Sequence, residues 1–261
     1  MLLFENDGVT VTLASGVATV TIDRPPVNAL NRELLGALDD AVAAAARSPD
    51  SHSIVLTGTG SRFVAGADIT MLAKLDGRSA AEFGKIIQGT FNRIEAASKP
   101  TVAVINGDAL GGGLELALAC DIRFAVADAR LGLPEIQLGL VPGAGGTQRL
   151  TEALGKPRAL EMLLTGTPLR ASQALELGLV NGVFDRTDLG REAFEWARLL
   201  TAGPPLAYAA VKACVRTNLT AGRDRGFLEE VKSLENLIDT ADGREGVAAF
   251  LEKRAPHFRG C

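Results

Sequence analysis

Histidine is nearly missing from this 261-residue chain: only His52 and His257 occur, against 31 acidic and 27 basic side chains. Two imidazoles so far apart in sequence do not suggest a histidine metal site. A histidine-dependent nucleophile has little support, so carboxylates are the expected agents of acid–base chemistry. Cysteine is also sparse. Cys120, Cys214 and Cys261 form an odd set without C-x-x-C spacing. That argues against a disulfide framework or a thiolate zinc knuckle and points to a reducing, cytoplasmic setting. Aromatics amount to 5%, so the core must be built from Ala, Val, Leu and Ile. A basic excess is lacking too. The net charge of −4 speaks against a nucleic-acid partner, which needs a basic face to neutralise phosphates. Residues Met1 to Thr10 carry Glu5 and Asp7 and no basic n-region, so no signal peptide is expected. Nor is there a long apolar run. The nearest, Thr101 to Cys120, holds Asn106, Asp108, Glu115 and four glycines and does not qualify as a membrane span.

What is present describes an enzyme-sized globular chain, with 47% hydrophobic and 22% charged residues. The first part alternates strand and helix signals. Val9 to Leu13 and Val17 to Ile22 have period-two β-branched patterning with Ser15-Gly16 as the hairpin between them. Asn31 can cap a helix from Arg32 to Arg47, and a second helix is expected from about Ser79 to Ala97. Ile54 to Thr57 and Thr101 to Ile105 read as buried strands, Ile122 to Ala125 and Arg130 to Leu133 as further strand pieces, and Gly112 to Cys120 as a helix. The rhythm is strand–strand–helix in an α/β layout. From Asp188 the strand signal stops, and helical segments separated by Gly-Pro-Pro, Gly222 and Asp242-Gly243 follow. These signals predict a core over 1–190 and a helical region over 191–261.

Several familiar signatures are absent: no G-x-x-x-x-G-K-[ST] loop, no G-x-G-x-x-G, no G-x-S-x-G and no H-E-x-x-H. The feature that stands out is Asn106-Gly107-Asp108-Ala109-Leu110-Gly111-Gly112-Gly113-Leu114-Glu115 through Asp121. Successive glycines opening a helix after a buried strand leave free N–H groups at its positive end, with no side chain to bar a substrate. Such donors ease enolisation of a thioester or ester carbonyl, each by about 3 kcal/mol. Val64-Ala65-Gly66-Ala67-Asp68 is a second candidate turn, and Pro142 to Thr147 a third donor loop. Glu115 sits among leucines, where burial would raise its pKa towards the range useful for proton transfer; read alone, it is equally a helix-start acid complementing the dipole. Glu135, in Leu133-Pro134-Glu135-Ile136, is alone a turn acid or an ion-pair partner. Together they are the stronger signal, because acid–base work on a neutral substrate wants two carboxylates in different protonation states.

With these segments in order, and with the tail Glu245 to Arg254, the sequence resembles the enoyl-CoA hydratases of the crotonase (enoyl-CoA hydratase/isomerase) superfamily over essentially its whole length. The resemblance implies an α/β fold, a spiral of ββα units, with a C-terminal helical trimerisation region and assembly as a trimer or dimer of trimers. It implies an acyl-CoA thioester substrate, with coenzyme A entering as part of that substrate and no separate cofactor. Ala67 and Gly112 would supply the oxyanion-hole N–H groups. Glu115 and Glu135 would hold one water between them, helped by the N–H of Gly143. CoA-binding segments would be Val27, Asn28, Ala29 and Leu30, and Ala65, Gly66, Asp68 and Ile69 around Ala67. Phe250 and Lys253 would reach the CoA of a neighbouring subunit. Retention of both acids favours hydration of a 2-trans-enoyl-CoA. A Δ3,Δ2-enoyl-CoA isomerase using Glu135 alone is the alternative, and a non-catalytic binding member of the fold is another. One departure is Thr70, where many hydratases carry Lys; Lys74 lies one helical turn later.

Overall fold

The structure, a computed structural model, describes residues 1–261. β1 (Leu2–Asn6), β2 (Val9–Ala14) and β3 (Val17–Ile22) form an antiparallel meander. Val9, Val11 and Leu13 of β2 and Ala18, Val20 and Ile22 of β3 are buried, as alternation predicts. Ser15 and Gly16 both take positive φ, 48° and 76°, the backbone that a two-residue hairpin requires. Asn31 then caps α1 (Arg32–Arg47) by accepting from the N–H of Leu34, and the apolar stripe Leu34, Leu35, Leu38, Val42 and Ala45 is buried.

From here the chain repeats a strand–strand–helix unit. β4 (Ser53–Gly58) and β5 (Arg62–Val64) lead to α2 (Ile69–Leu72) and α3 (Gly77–Glu95). β6 (Thr101–Ile105) and β7 (Asp108–Leu110) lead to α4 (Gly112–Leu118). β8 (Ile122–Val126) and β9 (Arg130–Gly132) lead through a 3-10 turn, Pro134–Leu138, to α5 (Gly146–Thr165). β10 (Leu169–Arg170), α6 (Ala171–Glu176) and β11 (Gly182–Phe184) close the pattern. In each of the three strand–strand–helix units the first strand joins a seven-stranded sheet, ordered β1-β2-β3-β4-β6-β8-β11, and the second a four-stranded sheet, β10-β9-β7-β5; the closing segment reverses this, β10 joining the small sheet and β11 the large one. The expected spiral of ββα units is thus the architecture found. Every residue of β6 is buried, the mark of a parallel strand covered on both faces.

Three features differ from the expectations. The helix α5 falls where the sequence pattern predicts none; it is broken at Gly155 (φ 71°, ψ 160°) and carries Pro157, so its apolar periodicity is interrupted midway. The strands of the small sheet are two or three residues long, too short for a period-two signal. The core also runs past residue 190. α7 (Leu189–Leu199) packs across β3, β4, β6, β8 and β11, and its Leu189, Ala193 and Ala197 belong to the buried core. The break comes after it, at Gly203-Pro204, before α8 (Pro205–Ala221), α9 (Arg223–Ile238) and α10 (Ala241–Glu252).

Candidate active site

The small sheet explains why residues distant in sequence meet. β5, β7 and β9 run parallel, so their carboxyl ends lie side by side, the place where α/β sheets bind ligands. β5 ends into Ala65-Gly66-Ala67, β7 into Gly111-Gly112 and α4, and β9 into the 3-10 turn that carries Glu135.

The first two of these ends present backbone donors. Leu30 pairs with Ala67 as a parallel bridge, through Leu30 N–H to Gly66 O (2.8 Å) and Asp68 N–H to Leu30 O (2.8 Å). Ala67's own N–H takes no part in that pairing. Gly112 opens α4, so its N–H lies outside the helical ladder. The two are neighbours: a Cβ built on Gly112 would lie 3.7 Å from the Ala67 nitrogen, and one on Gly66 3.9 Å from the Gly112 nitrogen. Close packing of α4 on β5 depends on Gly113, where any side chain would collide with the Val64 carbonyl.

The acids differ sharply. Glu115 is 2% exposed, and its Oε1 accepts from the N–H groups of Ala144 and Gly146, each at 2.8 Å. Burial raises its pKa, while these two donors and the Arg149 charge oppose the rise by favouring the carboxylate. Gly146 is required for this contact, since a Cβ there would stand 2.9 Å from Glu115 Oε1. Glu135 is half-buried, and its Oε2 is shielded from solvent without a hydrogen-bond partner. Burial pushes its carboxyl up to about 7; its own N–H opposes the rise and the Glu115 charge adds to it. Its Oε1 lies 2.9 Å from the position of a Cβ on Gly111, which places Glu135 against the glycines that open α4. Water addition fits such a pair: one acid poised to accept a proton, its neighbour poised to give one.

The remaining candidates fall into three groups. Val27 to Leu30 runs beside Ala65 to Ile69, with Ala65 N–H bonded to Val27 O at 3.1 Å. Asn28, buried at φ 55°, donates to the carbonyls of Thr59, Arg62 and Phe63, and Ala29 O accepts from Arg24. Asp68 caps α2 and pairs with Arg24 at 2.9 Å; hydrogen bonds from Thr70, then Arg24, draw its carboxyl down to about 2. Both side chains hold the loop, and Thr70 is engaged with Asp68 (Oγ1 to Oδ1, 2.6 Å). Ile69 is exposed beside them. The Gly143 carbonyl accepts from Gln88 at 2.8 Å, while the next N–H, of Ala144, goes to Glu115. Phe250 and Lys253 are not brought to the acids of their own chain: they are exposed on α10 and its C-terminal cap, and α10 packs chiefly on α9. Sequence reading missed Ala144, Gly146 and Arg149 as holders of Glu115. The glycines of Pro142 to Thr147 mark a donor loop, but its Ala144 and Gly146 N–H groups go to Glu115 itself, whereas the resemblance implies a Gly143 N–H directed at the water.

A family profile described as enoyl-CoA hydratase/isomerase matches residues 12–261. The chain is 40% identical over 244 residues to the crotonyl-CoA hydratase of Syntrophomonas wolfei, covering 93% of this chain and 94% of that protein. It is 42% identical over 246 residues to the 2,3-dehydroadipyl-CoA hydratase of Escherichia coli K12, covering 94% and 95%. The crystal structure of an enoyl-CoA hydratase from Bacillus anthracis superposes with a TM-score of 0.92 at 35% identity, covering 98% of this chain and 100% of that one.

Proposed function

The chain belongs to the enoyl-CoA hydratase/isomerase family, and within it we propose that it is an enoyl-CoA hydratase, a lyase adding water across C2=C3 of a 2-trans-enoyl-CoA to give the 3-hydroxyacyl-CoA. The observation that carries this reading is the contrast between two adjoining acids, one fixed by two N–H donors and one buried without a partner. An isomerase that shuttles one proton needs only one of them.

The steps follow from the geometry. The N–H groups of Ala67 and Gly112 take the thioester oxygen. Ionised Glu115 accepts a proton from water as the water oxygen bonds to C3. The C2=C3 electrons move into the thioester as an enolate, held by the two donors, where preorganised N–H groups act most strongly. Glu135, protonated near neutral pH, gives its proton to C2 as the carbonyl re-forms. Proton exchange with solvent then restores both acids. Coenzyme A is part of the substrate, and no separate cofactor enters this scheme. Large exposed apolar residues on α8 and α9, among them Val211, Val215, Phe227, Leu228, Val231 and Leu234, support the further proposal that this region joins copies of the chain in a trimer or dimer of trimers. No helix is long and apolar enough to cross a membrane; a cytoplasmic location is part of the proposal.

Turnover of crotonyl-CoA, followed at the enoyl-thioester absorbance beside isomerisation of a 3-enoyl-CoA, tests the reading. Glu115→Gln and Glu135→Gln should each lower hydration kcat by about 100-fold or more with CoA affinity nearly unchanged. Isomerisation should depend on Glu135 more than on Glu115. Hydration surviving either change would remove the pairing. Isomerisation alone in the unaltered protein would make this an isomerase.

A further inference from the structure

Resting on the hydratase reading, we propose that Arg149 is a positioning residue that sets Glu115 as the base, acting through the 143–146 loop from an anchor on α3. Arg149 is 8% exposed. Its Nη1 donates to the Ala144 carbonyl at 3.0 Å, and its Nη2 to Asn92 Oδ1 at 2.6 Å and Glu95 Oε2 at 2.8 Å. Ala144 is thus held at both ends, its carbonyl by Arg149 and its N–H on Glu115.

The loop's carbonyls are fixed in succession. Gln88 Nε2 takes Gly143 O at 2.8 Å, on the same peptide that donates to Glu115. Arg149 Nη1 takes Ala144 O, and the backbone N–H of Arg149 takes Gly145 O at 3.0 Å, on the peptide whose N–H is the second donor to Glu115. Orienting the carbonyl of a planar peptide orients its N–H, so Gln88 and the Arg149 backbone N–H aim the two donors, and the guanidinium fixes the Ala144–Gly145 peptide that joins them. Gln88, Asn92 and Glu95 recur at i, i+4 and i+7, one stripe of α3. The loop admits the guanidinium only because residue 145 is glycine, at φ 102°; a Cβ there would collide with Arg149 Nη1. Arg149 Nε, buried without a partner, is a cost a purely structural residue would shed, since an apolar side chain fills space without it.

The charged or titratable groups around Arg149 are Glu95 on α3, Glu115 on α4, Cys120 just beyond it, and Glu152 on α5. Glu115 itself faces Arg149 and Glu135. Removing the Arg149 charge raises the Glu115 pKa, so the acid limb of activity moves to higher pH.

The test compares Arg149→Met, Arg149→Lys and Glu95→Gln in the full chain, with crotonyl-CoA as substrate and thermal unfolding as the folding check. Arg149→Met should lower kcat about 30-fold or more with KM changed less than about threefold, because loss of orientation acts on the chemical step. It should also move the acid limb up by roughly half a pH unit or more. Arg149→Lys should restore the limb but leave kcat down about tenfold, since an ammonium cannot replace the planar fork. Glu95→Gln, which keeps the cation and loosens its anchor, should lower kcat a few-fold (about 3) without raising the limb. A folded Arg149→Met with unaltered kcat and limb would overturn the proposal. Should Arg149→Met not fold, full activity in both Arg149→Lys and Glu95→Gln would overturn it instead. A 13C-carboxyl titration of Glu115 separates the two readings without turnover. An upward shift in Arg149→Met in a protein that hydrates nothing would sink the hydratase reading while leaving the Arg149–Glu115 link standing.

Discussion

The two acid-bearing regions of the site are built on opposite plans. Glu115 stands in the first turn of α4, a segment buried throughout, and is held by a loop whose own carbonyls are tied down. Glu135 stands in a 3-10 turn with no fully buried residue, ended by Gly139 in the left-handed conformation, and no neighbour bonds to its Oε2. Both lie in poor solvent, and both pKa values rise. The difference is what opposes the rise. Two N–H donors and a cation favour the charged form of Glu115. Glu135 has little beyond its own N–H, and the neighbouring carboxylate raises it further. Hydrogen bonding, not depth of burial, therefore distinguishes the two acids: the more buried one is the one whose charged form has two donors and a cation to favour it.

Of changes to the glycines beside the two acids, the larger expected effect comes from breaking the better-held side. Gly146→Ala drives a methyl group into the Glu115 carboxyl and should lower kcat by about ten- to a hundredfold, an orientation penalty, while leaving Glu135 untouched. Gly139→Ala, with open space around the position a Cβ would take, should cost much less activity, its left-handed φ being paid in stability by about 1 kcal/mol. Steady-state kinetics beside thermal melts reads the two against each other. Equal losses of activity would show that the sites are not distinguished as described.

A smaller effect is on stability. A carboxyl whose folded pKa is raised contributes stability that is fully present below its unfolded value, near 4.5, and is lost as pH rises through about 7. Glu135→Gln, a permanently neutral stand-in, should therefore melt higher than the unaltered protein at pH 8, by on the order of 1 kcal/mol once its partial exposure is discounted. The gain should vanish below about pH 4.5. A gain that did not depend on pH would mean that charge is not its source.

Much of this was legible in the residues. Period-two patterning located β2 and β3, Asn31 marked the start of α1, and glycines beside acids singled out Gly112, Glu115 and Glu135. The rest depends on contacts that local pattern does not carry. β5, β7, β9 and β10 are two or three residues each, so the sheet that gathers the site leaves almost no periodic trace. α7 reads as an amphipathic helix anywhere, and only the sheet under it shows that it belongs to the core. The hold on Glu115 spans 29 and 31 residues of sequence. Glycines at 143, 145 and 146 announce a loop that approaches something closely, without saying what.

The central claim is that Glu115 and Glu135 are split in protonation, with Glu135 the higher. A carboxyl-13C NMR titration of the substrate-free protein, with each signal assigned by its Glu→Gln variant, tests this most directly. The account predicts a Glu135 midpoint near 7, and a Glu115 midpoint above the ordinary 4.5 yet below that of Glu135. Activity measured alongside should fall above the first and below the second. A Glu115 midpoint above that of Glu135, or both acids titrating together near 4.5, would contradict it.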